Sequence, residues 1–307
     1  MGVRTAYMPA LNTDEFMEGK TVEYVKLANG VEIPKIGYGV FQISKDDAPR
    51  CVREAIETGY RHIDTAQSYF NEAEVGQGIK DSGIDRKDLF LTTKIWISNY
   101  GYENTLRSVD VSLKKLGTDY FDLVLLHQPF SDTYGAWRAL EKLYKDGVIR
   151  AIGVSNFYPD RLADMVAFNE IAPMVDQVET NPLNQQIEAR KNMVKRGVAQ
   201  EAWAPFGEGM QNMFSNPTLA KIGEVHGKSV AQVILRWLTQ RDIVALPKST
   251  HKERMEENLN IFDFRLSDSE MTTIAGLDTK TSMFFRHDTP EAVDRFVGYV
   301  KERAGRE

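Results

Sequence analysis

Eight short apolar segments, each followed by a stretch with helical periodicity, constrain the fold of this 307-residue chain more than any other feature. The segments are KIGYGV, RHIDTA, LFLTTKIW, FDLVLLHQ, RAIGVSN, MVDQVETN, QEAWAP and DIVALPKS. Several are apolar without alternation, as strands are when helices cover both faces of a parallel sheet. Eight such units in a chain of this length predict an α/β fold of the closed (β/α)8 type, a TIM barrel, rather than an open sheet.

Helical patterns lie between these segments. The clearest spans residues 102–116, where Leu106, Val109, Leu113 and Leu116 recur at spacings of three and four and form one apolar face. Gly117 follows directly and is a typical helix stop. A second pattern occupies SVAQVILRWLTQR, at residues 229–241.

A turn signal precedes the first of the eight units. Asn29 and Gly30 separate two extended pieces and predict a β-hairpin, which we expect to cover the bottom of the barrel. No linker rich in Pro, Gly or Ser divides the chain, so residues 1–307 are predicted to form a single domain. Residues 1–20 are an N-terminal extension, and residues 277–307 are a C-terminal extension beyond the last unit.

Composition excludes several classes of protein. The net charge of -6, without a basic cluster, disfavours nucleic-acid binding. The sequence has no run of about 18 apolar residues, so no membrane span is predicted. The N-terminal sequence lacks the apolar centre of a signal peptide. The single cysteine, Cys51, rules out an internal disulfide and fits a reducing, cytoplasmic location.

Polar residues stand at the ends of the predicted strands. Asp64, Lys94 and His127 end the second, third and fourth, and Tyr69 follows Asp64 by five residues. Since the active sites of such barrels lie at the carboxyl ends of the strands, these side chains are expected to converge. Separately, Asp64 is explained as a helix cap, Tyr69 as a packing aromatic and His127 as a core histidine. Lys94 needs a partner if buried, and an ion pair with Asp64 would provide one.

Acid catalysis is the chemistry that these four groups can share. An adjacent Lys94 is expected to pull the pKa of Tyr69 below its usual value near 10, while Asp64 orients Lys94. A neutral His127 can align a carbonyl oxygen by hydrogen bonding. Such a site protonates a carbonyl oxygen while hydride reaches the carbon, and hydride requires a cofactor.

The chain lacks the usual dinucleotide fingerprint, because GYGVFQ at residues 37–42 begins G-x-G but ends with Gln. The segment LPKSTHKERMEENLN, residues 246–260, opens a helix, and Thr250 with Glu253 fits a capping box there. The same helix start, beside Lys248 and Arg254, predicts a phosphate site. Two cations favour NADPH over NADH. Trp203 is a candidate to stack on the nicotinamide ring. The candidates to hydrogen-bond its carboxamide are Gln177, Ser155 and Asn156.

Taken in order, the motifs GYRHIDTAQSYFNEAEVG, TTKIW, LLHQP, GVSNF, QVETNP and PKSTHKERMEEN resemble those of the aldo-keto reductase family, over residues 22–290. The resemblance implies NADPH-dependent reduction of small carbonyl compounds on a barrel of the predicted kind. The catalytic residues that it implies are Asp64, Tyr69, Lys94 and His127. The cofactor contacts that it implies are Ser155, Asn156, Gln177, Trp203, Pro205, Phe206, Lys248, Ser249, Thr250, Arg254, Glu257 and Asn258.

Within the family, EAWAPFG is similar to the bacterial-type branch that includes 2,5-diketo-D-gluconate reductases. Two departures leave the substrate open: Gln128 where many members have Trp, and Phe206 where Leu is common. Phe41, Trp96 and Gln128 are the candidate pocket walls, although aromatic residues also pack cores. The segment SMFFRHD of the C-terminal extension is interpreted as either a substrate loop over the mouth or a packed surface tail. Many members of this type are monomers, which is the expectation here.

Two other functions stay open at this point. A cofactor-binding regulatory subunit, like the channel-associated β-subunits that share this fold, can keep the same four residues without appreciable turnover. A metal-dependent barrel enzyme is disfavoured, because the five histidines show no ligand spacing such as H-E-x-x-H.

Overall fold

The computed structural model describes residues 22–304, and an eight-stranded parallel sheet lies at its centre. The strands follow one another in chain order: β3 (Tyr38–Gly39), β4 (His62–Asp64), β5 (Phe90–Ile95), β6 (Phe121–Leu126), β7 (Ile149–Ser155), β8 (Val175–Glu179), β9 (Ala199–Trp203) and β10 (Val244–Ala245). A parallel bridge between Ile36 and Ala245 joins the first strand to the last. The sheet therefore closes into the predicted (β/α)8 barrel, and each of the eight predicted segments overlaps a strand.

Helices surround the sheet. They are α1 (Ala48–Thr58), α2 (Glu72–Ser82), α3 (Tyr102–Leu116), α4 (Thr133–Lys145), α5 (Pro159–Phe168), α6 (Ile187–Lys195), α7 (Pro217–His226), α8 (Val230–Thr239), α9 (Lys252–Leu259), α10 (Asp268–Ala275) and α11 (Pro290–Arg303). The predicted bounds of α3 are confirmed, and the helix ends at Gly117 with a φ of 65°, which suits glycine. Ser229 starts α8 with a capping box to Gln232.

The N-terminal hairpin is confirmed. Its strands β1 (Tyr24–Lys26) and β2 (Glu32–Pro34) pair in antiparallel fashion across the predicted turn. The Asn29 amide donates to the backbone oxygen of Arg150 at 2.8 Å, and Arg150 lies at the start of β7. The hairpin therefore lies at the amino ends of the strands, which is the bottom of the barrel. The predicted N-terminal extension, residues 1–20, lies outside the described residues.

Strand register determines which polar side chains share the barrel interior. Asp64 pairs with Thr92 of the neighbouring strand, and Gln177 pairs with Glu201. Lys94 stands two residues beyond Thr92 on β5, so the two side chains point to the same face of the sheet. The polar side chains of β4, β5, β8 and β9 therefore share the barrel interior with apolar ones, because Leu123 and Leu125 of β6 are in register with Thr92 and Lys94 and are completely buried.

The start of α9 differs from the prediction. The helix begins at Lys252, with His251 as its N-cap and no side-chain cap bond. Thr250 thus lies one residue outside the cap, and the residue at the third helical position is Arg254, which cannot accept a hydrogen bond. The predicted capping box of Thr250 and Glu253 is therefore wrong. Ser249 acts locally instead, since its hydroxyl accepts from the His251 N–H at 3.1 Å.

The C-terminal extension folds as a further helix, α11, which the patterns described above do not include. Thr289 caps it by accepting from the Ala292 N–H, and Pro290 occupies its first turn. Phe296 on its inner face is 3% exposed. Among residues 22–304, no helix has the length and hydropathy needed to cross a bilayer.

Gly76 in α2 provides a test of the packing between barrel helices. A Cβ at this position would lie 2.8 Å from the backbone of Leu116, which cannot yield as a flexible side chain would. We expect Gly76→Ala to lower the free energy of unfolding by about 1–3 kcal/mol through overpacking. At Gly298 in α11, no atom of residues 22–304 lies within 4 Å of an added Cβ, so Gly298→Ala should be neutral or stabilise by up to about 1 kcal/mol. Urea denaturation followed by circular dichroism measures both, and equal effects of the two changes would contradict the packing described here.

Candidate active site

A buried ion pair lies at the carboxyl end of the barrel. The Lys94 ammonium lies 2.5 Å from Asp64 Oδ1, and the Lys94 side chain is completely buried. The same ammonium donates to the backbone oxygen of Thr65 at 3.1 Å and to the Tyr69 hydroxyl at 3.3 Å. Asp64, Lys94 and Tyr69 are thus joined in one hydrogen-bonded chain, as the sequence predicted for their positions.

A short 3₁₀ turn over Gln67–Tyr69 explains how Asp64 and Tyr69, which are five residues apart, both reach the Lys94 ammonium. The turn ends at Phe70, whose φ of 58° reverses the backbone. The side-chain oxygen of Gln67 accepts from the Trp96 N–H at 3.0 Å, which ties the turn to the end of β5. The chain therefore leaves β4 after Asp64 and brings Tyr69 back over Lys94.

His127 lies beside this chain of hydrogen bonds. Its ring centroid is 5.8 Å from that of Tyr69 and 5.4 Å from that of Trp96. Burial lowers the pKa of His127 well below its usual value, and the Lys94 charge lowers it further. The imidazole is therefore neutral at physiological pH, as expected. Ser68 Oγ lies 3.3 Å from Nδ1, so a hydroxyl that donates there leaves the ring proton on Nε2.

Burial has a larger effect than Lys94 on the acidity of Tyr69. It raises the pKa of the hydroxyl, and the opposing influence of the Lys94 ammonium does not compensate. The expected fall below the ordinary value is therefore wrong in sign for this structure. Burial alone would lower the pKa of Lys94, but the Asp64 charge raises it. Lys94 consequently stays charged, and Tyr69 stays protonated over a wide pH range.

The predicted carboxamide-binding groups lie together and bond to one another. The Asn156 amide donates to His127 O at 3.1 Å and to Ser155 Oγ at 3.1 Å, and its oxygen accepts from Trp203 Nε1 at 2.9 Å. Asn156 has a φ of 65°, a strained conformation that asparagine tolerates better than most residues. Both donor positions of the Gln177 amide are taken by carboxylates, so its oxygen is the group left for an incoming N–H donor.

The predicted phosphate site follows β10. Lys248 and Arg254 are both exposed, and neither side chain makes an ion pair or hydrogen bond with any residue in the range 22–304. The backbone N–H groups at the start of α9 have no side-chain cap. Ser249 is buried beside them, and its backbone oxygen accepts from the Tyr38 hydroxyl at 2.5 Å. Two unpaired cations beside an uncapped helix start form a suitable environment for a phosphate group.

The remaining predicted cofactor residues differ in accessibility. Asn258 is 4% exposed, and the buried Tyr60 hydroxyl donates to the backbone oxygen of Met255 in the same helix at 3.3 Å. Thr250 and Glu257 are partly exposed. Pro205 is buried, whereas Phe206 is half-buried, with its ring 5.3 Å from that of Phe214. These residues are therefore not equally accessible to a cofactor.

Aromatic rings lie beside Tyr69, and the three candidate pocket walls differ in exposure. Phe41 is 47% exposed, with its ring 5.0 Å from Tyr69, and so is not a core aromatic. Trp96 is buried between His127 and the C-terminal helix, where Phe296 lies 5.8 Å from it. Gln128 is buried, and its side-chain oxygen has no hydrogen-bond partner in the part of the chain that the structure describes.

The segment SMFFRHD packs at the barrel mouth. Ser282 Oγ and the Met283 N–H both donate to the carboxylate of Glu179, at 2.5 and 3.0 Å, where β8 ends. The Phe284 ring lies 5.1 Å from Trp203. Of the two interpretations of this segment, the structure favours the position over the mouth.

Several residues of the site are absent from the sequence prediction. Glu201 is completely buried and accepts from the Gln177 amide at 2.7 Å. It stands two residues before Trp203 on β9, so period-two alternation offered a signal for it. The Arg303 guanidinium lies 4.6 Å from the Trp96 ring centroid, and no local pattern could indicate that contact.

Comparison with known proteins agrees with this geometry. The model of the aldo/keto reductase family matches residues 35–279. The chain belongs to the aldo/keto reductase family. The match spans every strand of the barrel and all four residues of the tetrad formed by Asp64, Tyr69, Lys94 and His127, which confirms the resemblance of the motifs.

Individual relatives of this aldo/keto reductase cover most of its length. It is 44% identical over 277 residues to morphine 6-dehydrogenase of Pseudomonas putida, with 86% of this chain and 93% of the relative covered. It is 50% identical over 256 residues to glyoxal reductase of Bacillus subtilis, with 83% and 92% covered. The crystal structure of a Bombyx mori aldo-keto reductase in complex with NADP superimposes with a TM-score of 0.84 at 32% identity, covering 88% of this chain and 98% of that one.

The buried pair of this aldo/keto reductase predicts a measurable coupling. Lys94→Met leaves Asp64 buried without its cation, and we expect it to lower the free energy of unfolding by about 3 kcal/mol at neutral pH. Asp64→Asn added to Lys94→Met removes the uncompensated charge, so the double variant should be more stable than Lys94→Met alone. Urea unfolding of the two single variants and the double variant gives the coupling energy. Strictly additive effects would show that the two groups do not depend on each other.

Proposed function

We propose that this aldo/keto reductase reduces aldehydes and ketones to alcohols with NADPH, and that Tyr69 donates the proton. The observation that carries the proposal is the 3.3 Å contact between the Tyr69 hydroxyl and a buried ammonium that is itself paired with Asp64. Bound NADPH supplies the hydride that reaches the carbonyl carbon. The protein's own groups supply the proton and the orientation of the carbonyl.

Tyr69 is suited to act as the acid because Lys94 stabilises the phenolate that proton donation produces. The ammonium lies 5.0 Å from the ring centroid as well as within hydrogen-bonding distance of the oxygen. Burial keeps the hydroxyl protonated until the substrate oxygen gains negative charge. A cation that interacts more strongly after proton transfer than before it lowers the barrier to that transfer.

His127 is suited to orient the substrate. Its neutral ring can donate from Nε2 to the carbonyl oxygen when Ser68 donates to Nδ1. A charged imidazolium would compete with Tyr69 as the acid, and burial beside Lys94 disfavours that form. The division of roles therefore follows from the electrostatics: Tyr69 gives the proton and His127 holds the oxygen.

The residues present also fit the cofactor. Lys248 and Arg254 carry the unpaired charges that a 2′-phosphate needs, and the half-buried Trp203 has an accessible ring for the nicotinamide. The acceptor oxygen of Gln177 suits the amide N–H of a carboxamide. The NADP complex of the Bombyx mori relative supports the same assignment. Loss of either cation should therefore affect NADPH more than NADH.

The names of the relatives support a panel of substrates. Glyoxal reductase and morphine 6-dehydrogenase point to small dicarbonyl compounds in one case and a bulky ring alcohol in the other. The exposed Phe41 ring, 5.0 Å from that of Tyr69, offers an apolar contact to both kinds of compound. A single-domain monomer in the cytoplasm stays a prediction from the sequence.

Tyr69→Phe tests the assignment of the acid. Without the hydroxyl we expect kcat for glyoxal reduction to fall about 10²–10⁴-fold, while the affinity for NADPH, measured by fluorescence titration, stays unchanged. Tyr24→Phe, on the exposed hairpin strand β1, is the matched control and should keep full activity. Full activity of Tyr69→Phe would refute the assignment. A wild-type protein that binds NADPH but turns over no carbonyl compound would favour the regulatory alternative.

Arg254→Ala tests the phosphate site. Removal of one charge-assisted hydrogen bond, worth about 1.5–3 kcal/mol, should raise KM for NADPH about 10–100-fold. KM for NADH should stay within about twofold, because NADH lacks the 2′-phosphate. Arg107→Ala, an exposed arginine on α3, controls for a general loss of positive charge. Equal weakening of both cofactors by Arg254→Ala would contradict a role in recognising the phosphate.

A further inference from the structure

A second carboxyl group lies directly beneath the tetrad. Glu201 of β9 is completely buried, and one amide nitrogen joins it to the catalytic pair. Gln177 Nε2 donates to Asp64 Oδ2 at 3.0 Å and to Glu201 Oε2 at 2.7 Å. The hydrogen-bonded chain thus runs from Tyr69 through Lys94, Asp64 and Gln177 to Glu201.

The other side of Glu201 offers no charge to balance it. His62 Nε2 lies 3.7 Å from Glu201 Oε1, beyond hydrogen-bonding distance, and it lies 3.0 Å from Thr92 Oγ1 instead. Burial lowers the pKa of His62 to about 3, so this ring is neutral. Glu201 Oε1 accepts no hydrogen bond from any of the described residues. An oxygen without a donor is the position where a bound proton costs least.

The net charge of Lys94, Asp64 and Glu201 depends on whether a proton is bound to Glu201. Among the described residues, the titratable groups that interact with Glu201 are His62 and Asp64 of β4, Lys94 of β5, and Tyr69 of the turn after β4. One ammonium therefore serves two buried carboxyl groups, and the cluster is neutral only when one of the two holds a proton. Burial, followed by the Asp64 charge, raises the pKa of Glu201 to about 8. Because Asp64 is already paired with Lys94 at 2.5 Å, Glu201 is the carboxyl group that holds the proton, and it loses this proton as the solution becomes alkaline.

We propose, on the basis of the function proposed above, that Glu201 is a positioning residue for proton transfer by Tyr69. Through Gln177 it adds a second carboxyl group to the Asp64–Lys94 pair, and its ionisation holds the proton on Tyr69. Burial raises the pKa of the Tyr69 hydroxyl, and the negative charges of Asp64 and Glu201 raise it further. As the solution becomes alkaline, Glu201 loses its proton first, and the negative charge that it gains makes the ionisation of Tyr69 less favourable.

The consequence is a bias toward reduction at alkaline pH. Carbonyl reduction needs the protonated hydroxyl, whereas alcohol oxidation needs the phenolate as a base. With Glu201 ionised, the protonated form of Tyr69 persists to higher pH. A neutral side chain at position 201 should let Tyr69 ionise earlier, so that reduction declines at lower pH and oxidation begins at lower pH.

Glu201→Gln tests this role, because the amide keeps the shape of the side chain and still accepts from Gln177. The ionisation of Tyr69 is followed as phenolate ultraviolet absorbance against pH, after subtraction of the matching Tyr69→Phe protein in each background. We expect the transition in Glu201→Gln to lie about one pH unit lower, a tenfold change in the ionisation equilibrium. Glu188→Gln, whose side chain is 81% exposed on α6, is the matched control and should titrate like the wild type.

Coincident Tyr69 transitions in the wild type and Glu201→Gln would overturn the proposal. If neither protein reaches the phenolate while folded, the pH profile of kcat for reduction decides. The alkaline limb of Glu201→Gln must then lie at lower pH, and coincident limbs would also overturn the proposal. If Glu201→Gln does not fold, Glu201→Met, of similar volume and without charge, takes its place in both measurements. The absorbance titration needs no turnover, so its failure is distinct from a failure of the proposed carbonyl reduction.

Discussion

The neutralisation of one buried ammonium determines the arrangement of the whole site. Lys94 is completely enclosed, and a lone charge at that depth would cost many times the energy of an ordinary contact. Asp64 provides the counter-charge at 2.5 Å, and the oxygens of Thr65 and Tyr69 complete its hydrogen bonds. These partners come from the end of one strand and the turn after it. The ammonium therefore holds in place the segment that carries the proposed acid.

The parallel barrel makes such an arrangement possible. Neighbouring strands end at one rim, so residues far apart in the chain meet without a long loop to hold them. Asp64, Lys94 and Gln177 come from three strands, yet consecutive hydrogen bonds of about 3 Å or less join them. Rigid strands hold the groups that tune the acid, and the acid itself lies on a short turn. Substrates thus meet a site whose charges are already in position.

Much of the fold and the tetrad could be predicted from the sequence because both depend on short patterns of apolar and charged residues. Charged residues such as Asp64 and Lys94 inside apolar strands are costly unless paired, and that cost makes them conspicuous in a single sequence. The sign of the Tyr69 pKa could not be predicted, because it depends on the depth of burial, which is a property of the assembled barrel. The start of α9 was misplaced because capping patterns tolerate small shifts. Glu201 was not predicted because it lies in QEAWAP, a segment that begins with polar residues and so does not mark a carboxyl group as buried.

The C-terminal helix α11 contacts the active site but is not part of the barrel that carries the tetrad. The barrel closes at Ala245, and the strands and tetrad are complete before the C-terminal helix begins. Phe296 and Arg303 of that helix contact Trp96 beside His127 without belonging to any strand. Substitutions there can reshape the surroundings of the carbonyl while the scaffold and its proton chemistry stay intact. Selection can therefore change the compounds that such a protein accepts without altering the strands of the barrel.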